Sequence, residues 1–441
     1  MRYRPFRRAS TSVTRRDFVK TSAGVIVGSL AAGLPACAVP AAGVHVQGSD
    51  KLRIALVGCG GRGTGAASDA LHADAGTELV AMGDVFADRI ASSLEHLSKD
   101  AEVGARVRVD PDRRFTGFDA CDKVLASGVD VVILATPPHF RPMHLKACVD
   151  AGVHVFCEKP VAVDVPGVRS VLATVEAARA KQLAIVSGFC WRYSDAERAT
   201  FREIHEGRIG DVTAVHTNYL TGSGGVRARK PEWSDMEFQI RNWFFYTWLG
   251  GDHIVEQDCH SIDKIAWAMN GEMPVRAYGV GGRQVRVAPE FGNVYDHFAV
   301  TYEYASGARA FNFCRQTDAC FNDNTDFIVG TKGNCFINGW GPTHVIKGEK
   351  PWTYEGPHRN MYQNEHDAMY ESIRSGKPIN DGVWMTNSTM MAILGRTCAY
   401  TGQAITWEQA MASTESFTLP KYELGPVPVA PVPMPGRKAV S

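Results

Sequence analysis

The glycine-rich turn Gly58-Cys59-Gly60-Gly61-Arg62-Gly63 constrains this chain more than any other stretch. It follows the short apolar run Leu52 to Val57 and opens a helix-like segment that reaches about Ala73. Between a strand and a helix, G-x-G-x-x-G spacing has a mechanical meaning. The first glycine makes a tight turn, the second lets backbone approach a pyrophosphate, and the third lets the helix pack on the strand. The helix N-terminus then faces the phosphate charge. Gly58, Gly60, Gly61, Arg62 and Gly63 are therefore candidate dinucleotide contacts. Asp84 closes the second apolar run, 21 residues after Gly63. A carboxylate there accepts hydrogen bonds from ribose hydroxyls and repels a 2′-phosphate, so NAD is expected over NADP, an expectation that Arg62 tempers slightly.

The surrounding pattern is α/β. Apolar runs at Leu79 to Met82, Val129 to Ala135 and Val153 to Cys157 alternate with helical patterns, as parallel βαβ units do. Asp164 is placed to cap a helix whose Val168, Val171, Leu172 and Val175 share one face. Beyond Leu183 to Phe189 the runs carry aromatics and alternate, at Val212 to Leu220, His297 to Tyr304, Ala308 to Phe313 and Phe327 to Val329. They predict a largely antiparallel sheet in a second domain of α+β type. Helical patterns return at His366 to Arg374 and Met385 to Tyr400, and a Pro-rich end is expected to be extended, as a tail or an arm on a neighbour. The division expected is 51–180 for a Rossmann domain, 181–418 for the second domain and 419–441 for the tail.

Chemistry concentrates at predicted strand ends. Thr136-Pro137-Pro138-His139 and Cys157-Glu158-Lys159-Pro160 both occupy C-terminal ends of parallel strands, where ligands of open α/β sheets lie. Thr136, Pro137, His139, Glu158 and Lys159 join the cofactor candidates. Lys159 is placed for proton transfer near a nicotinamide, but its pKa of about 10.4 must fall before it acts as a base near neutrality. Further on, residues 250–263 placed on one helix align His253, Glu256, His260 and Asp263 in a polar stripe. Such a stripe can relay protons or hold a metal; HExxH is absent, and no metal is expected.

Taken together, the Rossmann glycines, the strand-end Glu158-Lys159-Pro160 and the Gly250-Gly251…His260-x-x-Asp263 segment resemble the Gfo/Idh/MocA family, glucose–fructose oxidoreductase and inositol dehydrogenase, over residues 51 to about 415. The resemblance implies a Rossmann domain followed by a large open mixed sheet whose face builds dimers or tetramers. It implies Lys159 as a catalytic or substrate-orienting group and His260 as the acid/base. Most members carry Asp where this chain has Glu256, the expected partner of His260. Stretches such as RNWFFYTWLGGDHIVEQ and YQNEHDAMYESIRSGKPIND look like an exported, carbohydrate-linked subgroup. The expected reaction is hydride transfer to NAD from a sugar hydroxyl carbon, C3, with His260 as general base beside Lys159. The alternatives are a glycosidase or lyase acting by transient C3 oxidation and elimination, against which the missing Tyr-Pro-Thr-His-Gly motif counts, and a non-catalytic sugar-binding protein. Arg192, Tyr193, Arg241, Asn242, Trp243 and Tyr246 are candidate sugar contacts beside His260, because sugars are held by planar hydrogen-bonding groups and aromatic faces.

The first 38 residues read as an export address. Thr14-Arg15-Arg16-Asp17-Phe18-Val19-Lys20 resembles a twin-arginine signal, and the apolar run from Thr21 to Ala36 is too short for a spanning helix. Ala36-Cys37-Ala38 fits a cleavage site, with acylation of Cys37 as a lipoprotein the less favoured option; residues 39–50 read as a linker. The location expected is periplasmic. A twin-arginine route carries folded protein, so the enzyme would leave with NAD tightly bound. The 11 cysteines are scattered with no CxxC pair, which fits folding in a reducing compartment before transport. Lys+Arg and Asp+Glu both total 47, so nothing points to nucleic acid or an acidic membrane surface as a partner.

Overall fold

The computed structural model describes residues 50–341 and 343–438. The expected export signal, Cys37 and the linker before Asp50 lie outside the described residues.

A six-stranded parallel sheet runs in the order β3-β2-β1-β4-β5-β6. Its strands are β1 (Leu52–Val57), β2 (Thr77–Asp84), β3 (Arg114–Thr116), β4 (Val131–Leu134), β5 (His154–Cys157) and β6 (Ile185–Ser187). β4 and β5 are buried along their whole length, which is why they read as unbroken apolar runs rather than alternating ones. The connections carry α1 (Gly61–Ala73), α2 (Ala87–Ser98), α3 (Ala120–Ala126), α4 (Arg141–Asp150) and α5 (Val165–Ala180). α5 begins where the sequence places it: the Asp164 carboxylate accepts the Gly167 N–H at 2.8 Å. Strand order reverses between β1 and β4, the crevice in which such sheets take ligands. The sheet continues beyond residue 180, because β6 pairs with β5.

The chain then runs through α6 (Asp195–His205), α7 (Asp235–Arg241), α8 (Thr247–Gly250), α9 (His253–Glu256) and α10 (Cys259–Ala268). It also builds a nine-stranded sheet from β7 (Val212–Thr221), β8 (Arg276–Gly282), β9 (His297–Glu303), β10 (Arg309–Gln316), β11 (Thr325–Gly330), β12 (Gly333–Asn338), β13 (His344–Gly348), β14 (Trp352–Thr353) and β15 (Ile405–Thr406). β7 and β10 are parallel and every other pair is antiparallel. On one face Ile262 and Ile265 of α10 share a core with Val215, Val300 and Ala310. The opposite face exposes Tyr278, Val280, Phe313 and Phe327, on strands β8, β10 and β11.

Two late helices return to the first sheet. α11 (Met361–Arg374) packs Met369 and Tyr370 into the core formed with Ala66, Ala67 and Ala70 of α1. α12 (Gly382–Thr401) starts so close to α5 that a Cβ on Gly382 would lie 2.2 Å from the Val175 side chain. The Pro-rich end packs along its own chain. The carbonyls of Gly425, Val427 and Pro433 accept from Met236 N (3.0 Å), Gln239 Nε2 (2.7 Å) and the Tyr295 hydroxyl (2.8 Å). Proline removes a donor but leaves every carbonyl able to anchor the chain in this way.

Candidate active site

The glycine turn divides its labour as the spacing requires. Gly58 has φ +98°, and a Cβ there would sit 2.5 Å from the Ala135 carbonyl carbon. A Cβ on Gly63 would lie 2.0 Å from Gly58 O, so helix and strand touch through bare backbone. Around Gly60 and Gly61, by contrast, a Cβ would meet nothing within 4 Å, and α1 has no side-chain cap and no acid in its first turn. Those positions leave backbone N–H groups open toward a cavity of about 300 Å³, which Arg62, Asp84, Thr136 and Pro137 also line. An anionic pyrophosphate fits a helix terminus so exposed.

Asp84 reaches the turn directly. One carboxylate oxygen accepts the Cys59 N–H at 2.7 Å and the other the Phe86 N–H at 3.0 Å. Burial outweighs these bonds and raises its pKa. Arg62 lines the cavity, but its charge is already matched: Nε lies 2.5 Å from Glu158, and Nη2 lies 3.7 Å from both Asp69 and Glu365. Glu158 thus serves Arg62 rather than a cofactor. His139 departs from expectation. The turn at Pro138–Phe140 carries its imidazole away from the strand end, to 2.8 Å from the Tyr422 hydroxyl and edge-on to Trp248. Burial there pushes its pKa down to about 4. Phe140 and His144 line the cavity in its place.

Residues 250–263 do not form one helix. Gly251 and Asp252 have φ of +82° and +75°, and a turn at 257–258 separates α9 from α10. Asp252 is a buried staple, accepting from His253 N (2.6 Å), Tyr295 N (2.7 Å) and the Tyr400 hydroxyl (2.5 Å). The break turns His253 into the core against Phe298, out of the expected stripe. Asp263 is claimed by both arms of Arg192 (2.8 Å each) and by Ser388 (2.6 Å).

What remains of the stripe faces Lys159. Its ammonium donates to the Glu256 carbonyl at 2.5 Å and lies 3.5 Å from the Glu256 carboxylate. Burial opposes the ammonium charge, yet Glu256, with Cys259 and Glu158 behind it, outweighs burial and raises the pKa. Lys159 therefore holds its proton, contrary to the depressed value a base would need. Glu256 partners Lys159 rather than His260. The His260 imidazole is buried, its Nδ1 has no partner among the described residues, and it packs against Phe189 (5.7 Å) and Trp191 (5.2 Å). Burial, then the charges of Lys159, Lys264 and Arg62, hold its pKa well below the usual histidine value. A neutral imidazole thus lies within the field of a protonated lysine, and such a pair can divide the work, one group taking a proton while the other stabilises the oxygen left behind.

The other candidate sugar contacts are engaged elsewhere. Arg192 is stacked between Trp267 and Trp384 while holding Asp263. The Tyr193 hydroxyl donates to Asp381 at 2.6 Å. Arg241 binds Asp88 and Glu237, Asn242 binds the backbone of Arg227, and Trp243 lines the dinucleotide cavity. Tyr246 is buried against Phe238, by a separate cavity of about 690 Å³. Aromatic rings flank His260: Phe189 and Trp191 pack on it, with the half-exposed Trp340 5.1 Å from Trp191. Phe189 and Trp191 follow β6, so the strand-end rule that singled out Lys159 could have found them; Trp340 sits between β12 and β13 and carries no such signal.

Known proteins share this architecture. Residues 52–187 match a model described as an oxidoreductase family with an NAD-binding Rossmann fold, and residues 198–335 match the GFO/IDH/MocA C-terminal domain. The chain is 26% identical to a 2,7-anhydro-N-acetylneuraminate hydratase of Escherichia coli strain K12 over 48% of this chain and 52% of that protein. It is 25% identical to an inositol 2-dehydrogenase of Rhizobium meliloti strain 1021 over 75% of this chain and 93% of the relative. The match to the first of these thus spans about half of the relative's length. An aldose-aldose oxidoreductase from Caulobacter crescentus, solved with glycerol, superimposes with TM-score 0.64 at 20% identity, over 81% of this chain and 99% of that one.

Proposed function

The chain belongs to the Gfo/Idh/MocA family, and from that premise we propose that it is an NAD-dependent oxidoreductase acting on a sugar or glycoside hydroxyl, at C3. The observation that carries the reading is a proton-holding Lys159 whose charge reaches a neutral His260, with the His260 Nδ1 free of a partner among the described residues. Gly58, Gly60, Gly61, Gly63, Asp84, Thr136 and Pro137 would hold the dinucleotide, whose nicotinamide supplies a hydride acceptor. His260 takes the hydroxyl proton as general base. Lys159, aimed by Glu256, donates to the same oxygen and stabilises the charge that develops as the proton leaves. Trp191 and Phe189 offer the apolar walls against which a sugar ring can lie.

A second reading draws on the hydratase among the relatives. There, oxidation would be transient, and the same lysine and histidine would serve an elimination after which the hydride returns. Export through a twin-arginine route, with the nucleotide already bound, and oligomers built on the face of Tyr278, Val280, Phe313 and Phe327 complete the proposal.

Incubation of the nucleotide-bound protein with a panel of glycosides tests it. Bound nucleotide should gain reduced-nicotinamide fluorescence and products should be lighter by a pair of hydrogens. Cleaved glycosides carrying solvent deuterium at C2 would select the second reading. A nucleotide signal unmoved by every glycoside would sink both.

A further inference from the structure

The dinucleotide cavity is not walled by the Rossmann residues alone. Arg227, Ile240, Arg241 and Trp243, from a segment after β7, line it together with Asp84, Phe86 and Arg89. That segment, residues 222–246, is tied down on both sides. Outward, Met236 N and Gln239 Nε2 donate to the tail carbonyls of Gly425 and Val427. Inward, the Arg241 guanidinium makes a two-pronged pair with Asp88 of α2 (2.9 and 3.0 Å) and bonds Glu237 at 2.9 Å. It also lies 3.9 Å above the Phe86 ring and 5.0 Å from that of Trp233. Two-pronged arginine–carboxylate pairs and arginine–aromatic stacking both favour one fixed geometry.

Asn242 continues the arrangement. Its amide accepts the Arg227 N–H at 2.8 Å and donates to Arg227 O at 3.3 Å, fixing the backbone from which the Arg227 side chain enters the cavity. Arg89 lines the same cavity, and its pKa is lowered by burial and then by the charge of Arg227. Two guanidinium groups lining one cavity repel each other until an anion lies between them.

We propose that residues 222–246 form a retaining strap over the adenosine half of the dinucleotide. Arg241, latched to Asp88, is a positioning residue that holds the strap closed, and Arg227 is carried in as an anion contact that shares the cavity with Arg89. The strap slows nucleotide exchange. This rests on the reading that the groove binds NAD, and it adds residues from outside the Rossmann domain to the cofactor site.

The test is the release rate of NADH from the loaded full-length protein, followed by loss of its fluorescence on mixing with excess NAD. Asp88→Asn opens the latch without touching the groove and should release nucleotide about 2- to 5-fold faster at an unchanged unfolding temperature, while Asp88→Glu keeps the charge and restores most of the retention. Arg227→Ala should also speed release and flatten its dependence on salt. Release from Asp88→Asn at the wild-type rate overturns the strap. Failure of the wild type to bind NADH at all overturns instead the nucleotide reading beneath it.

Discussion

Paired substitutions in the glycine turn separate a packing role from a ligand role. Gly63→Ala puts a methyl group 2.0 Å from Gly58 O, a third of the way inside the closest contact real Cβ atoms make. The obstacle is backbone, and Gly58 itself is fixed by its φ of +98° against Ala135, so α1 must move off β1 by about 1 Å. Overpacking of that kind costs about 1–3 kcal/mol, more where backbone cannot yield. Gly60→Ala meets nothing within 4 Å, and its φ of −74° suits alanine. Stiffening the unfolded chain contributes about 0.4–1 kcal/mol, and the poorer N-cap gives back a similar amount, so stability should stay within about 0.5 kcal/mol of wild type. The new methyl does, however, occupy the approach to the N-terminus of α1. Losing one charge-assisted hydrogen bond to a pyrophosphate, at about 1.5–3 kcal/mol, weakens NADH binding by about 10- to 160-fold. Thermal unfolding and NADH fluorescence titration on both variants measure the two effects independently. Wild-type NADH affinity in Gly60→Ala would refute the cradle, and wild-type stability in Gly63→Ala would refute the packing argument.

Three further outcomes follow from the same geometry. His260→Asn should lower kcat by about 10²- to 10⁴-fold and leave NADH binding intact; because burial and nearby cations depress the His260 pKa, kcat/KM of the wild type should stay level as pH falls through about 6.5 and decline only below it. A decline centred at or above that pH contradicts a neutral, depressed imidazole. Asp258, buried and accepting from Asn312 at 2.6 Å, has its pKa pushed up to about 7 by burial; the folded state therefore binds its proton more tightly than the unfolded state, and stability falls as pH rises from about 4 to about 7. Asp258→Asn should accordingly raise the unfolding temperature near pH 8 and change it little near pH 4, and equal effects at both would discount the linkage. Phe313→Glu places a charge in the exposed apolar face of the large sheet, 40% accessible at that position, and should convert oligomers to monomers by light scattering without loss of fold; wild-type and variant protein of one size would remove that face as the interface.

Much of the architecture was readable because it is local. β1, the turn and α1 declare themselves through a run of apolar residues, glycines at fixed intervals and a helical segment, and β4 and β5 through burial on both faces. Asp164 announced its helix because a cap acts within one turn. The readings that failed depended on contacts between distant parts of the chain. A single helix through 250–263 was a fair projection of spacing, yet Asp252 adopts a positive φ to reach Tyr295 and Tyr400, and that turns His253 into the core. Aromatic and guanidinium groups near Arg192 and Arg241 looked available for a sugar, but their partners, Asp263 and Asp88, lie 71 and 153 residues away.

By itself, the sequence determined where the glycine turn lies between β1 and α1 and where β4 and β5 end, since both follow from backbone geometry within a few residues of each glycine or apolar run. Only the tertiary structure decided the charge states of Lys159 and His260. A pKa answers to burial and to the nearest charges, and those come from Glu256, Lys264 and Arg62, which the fold alone gathers around the cleft.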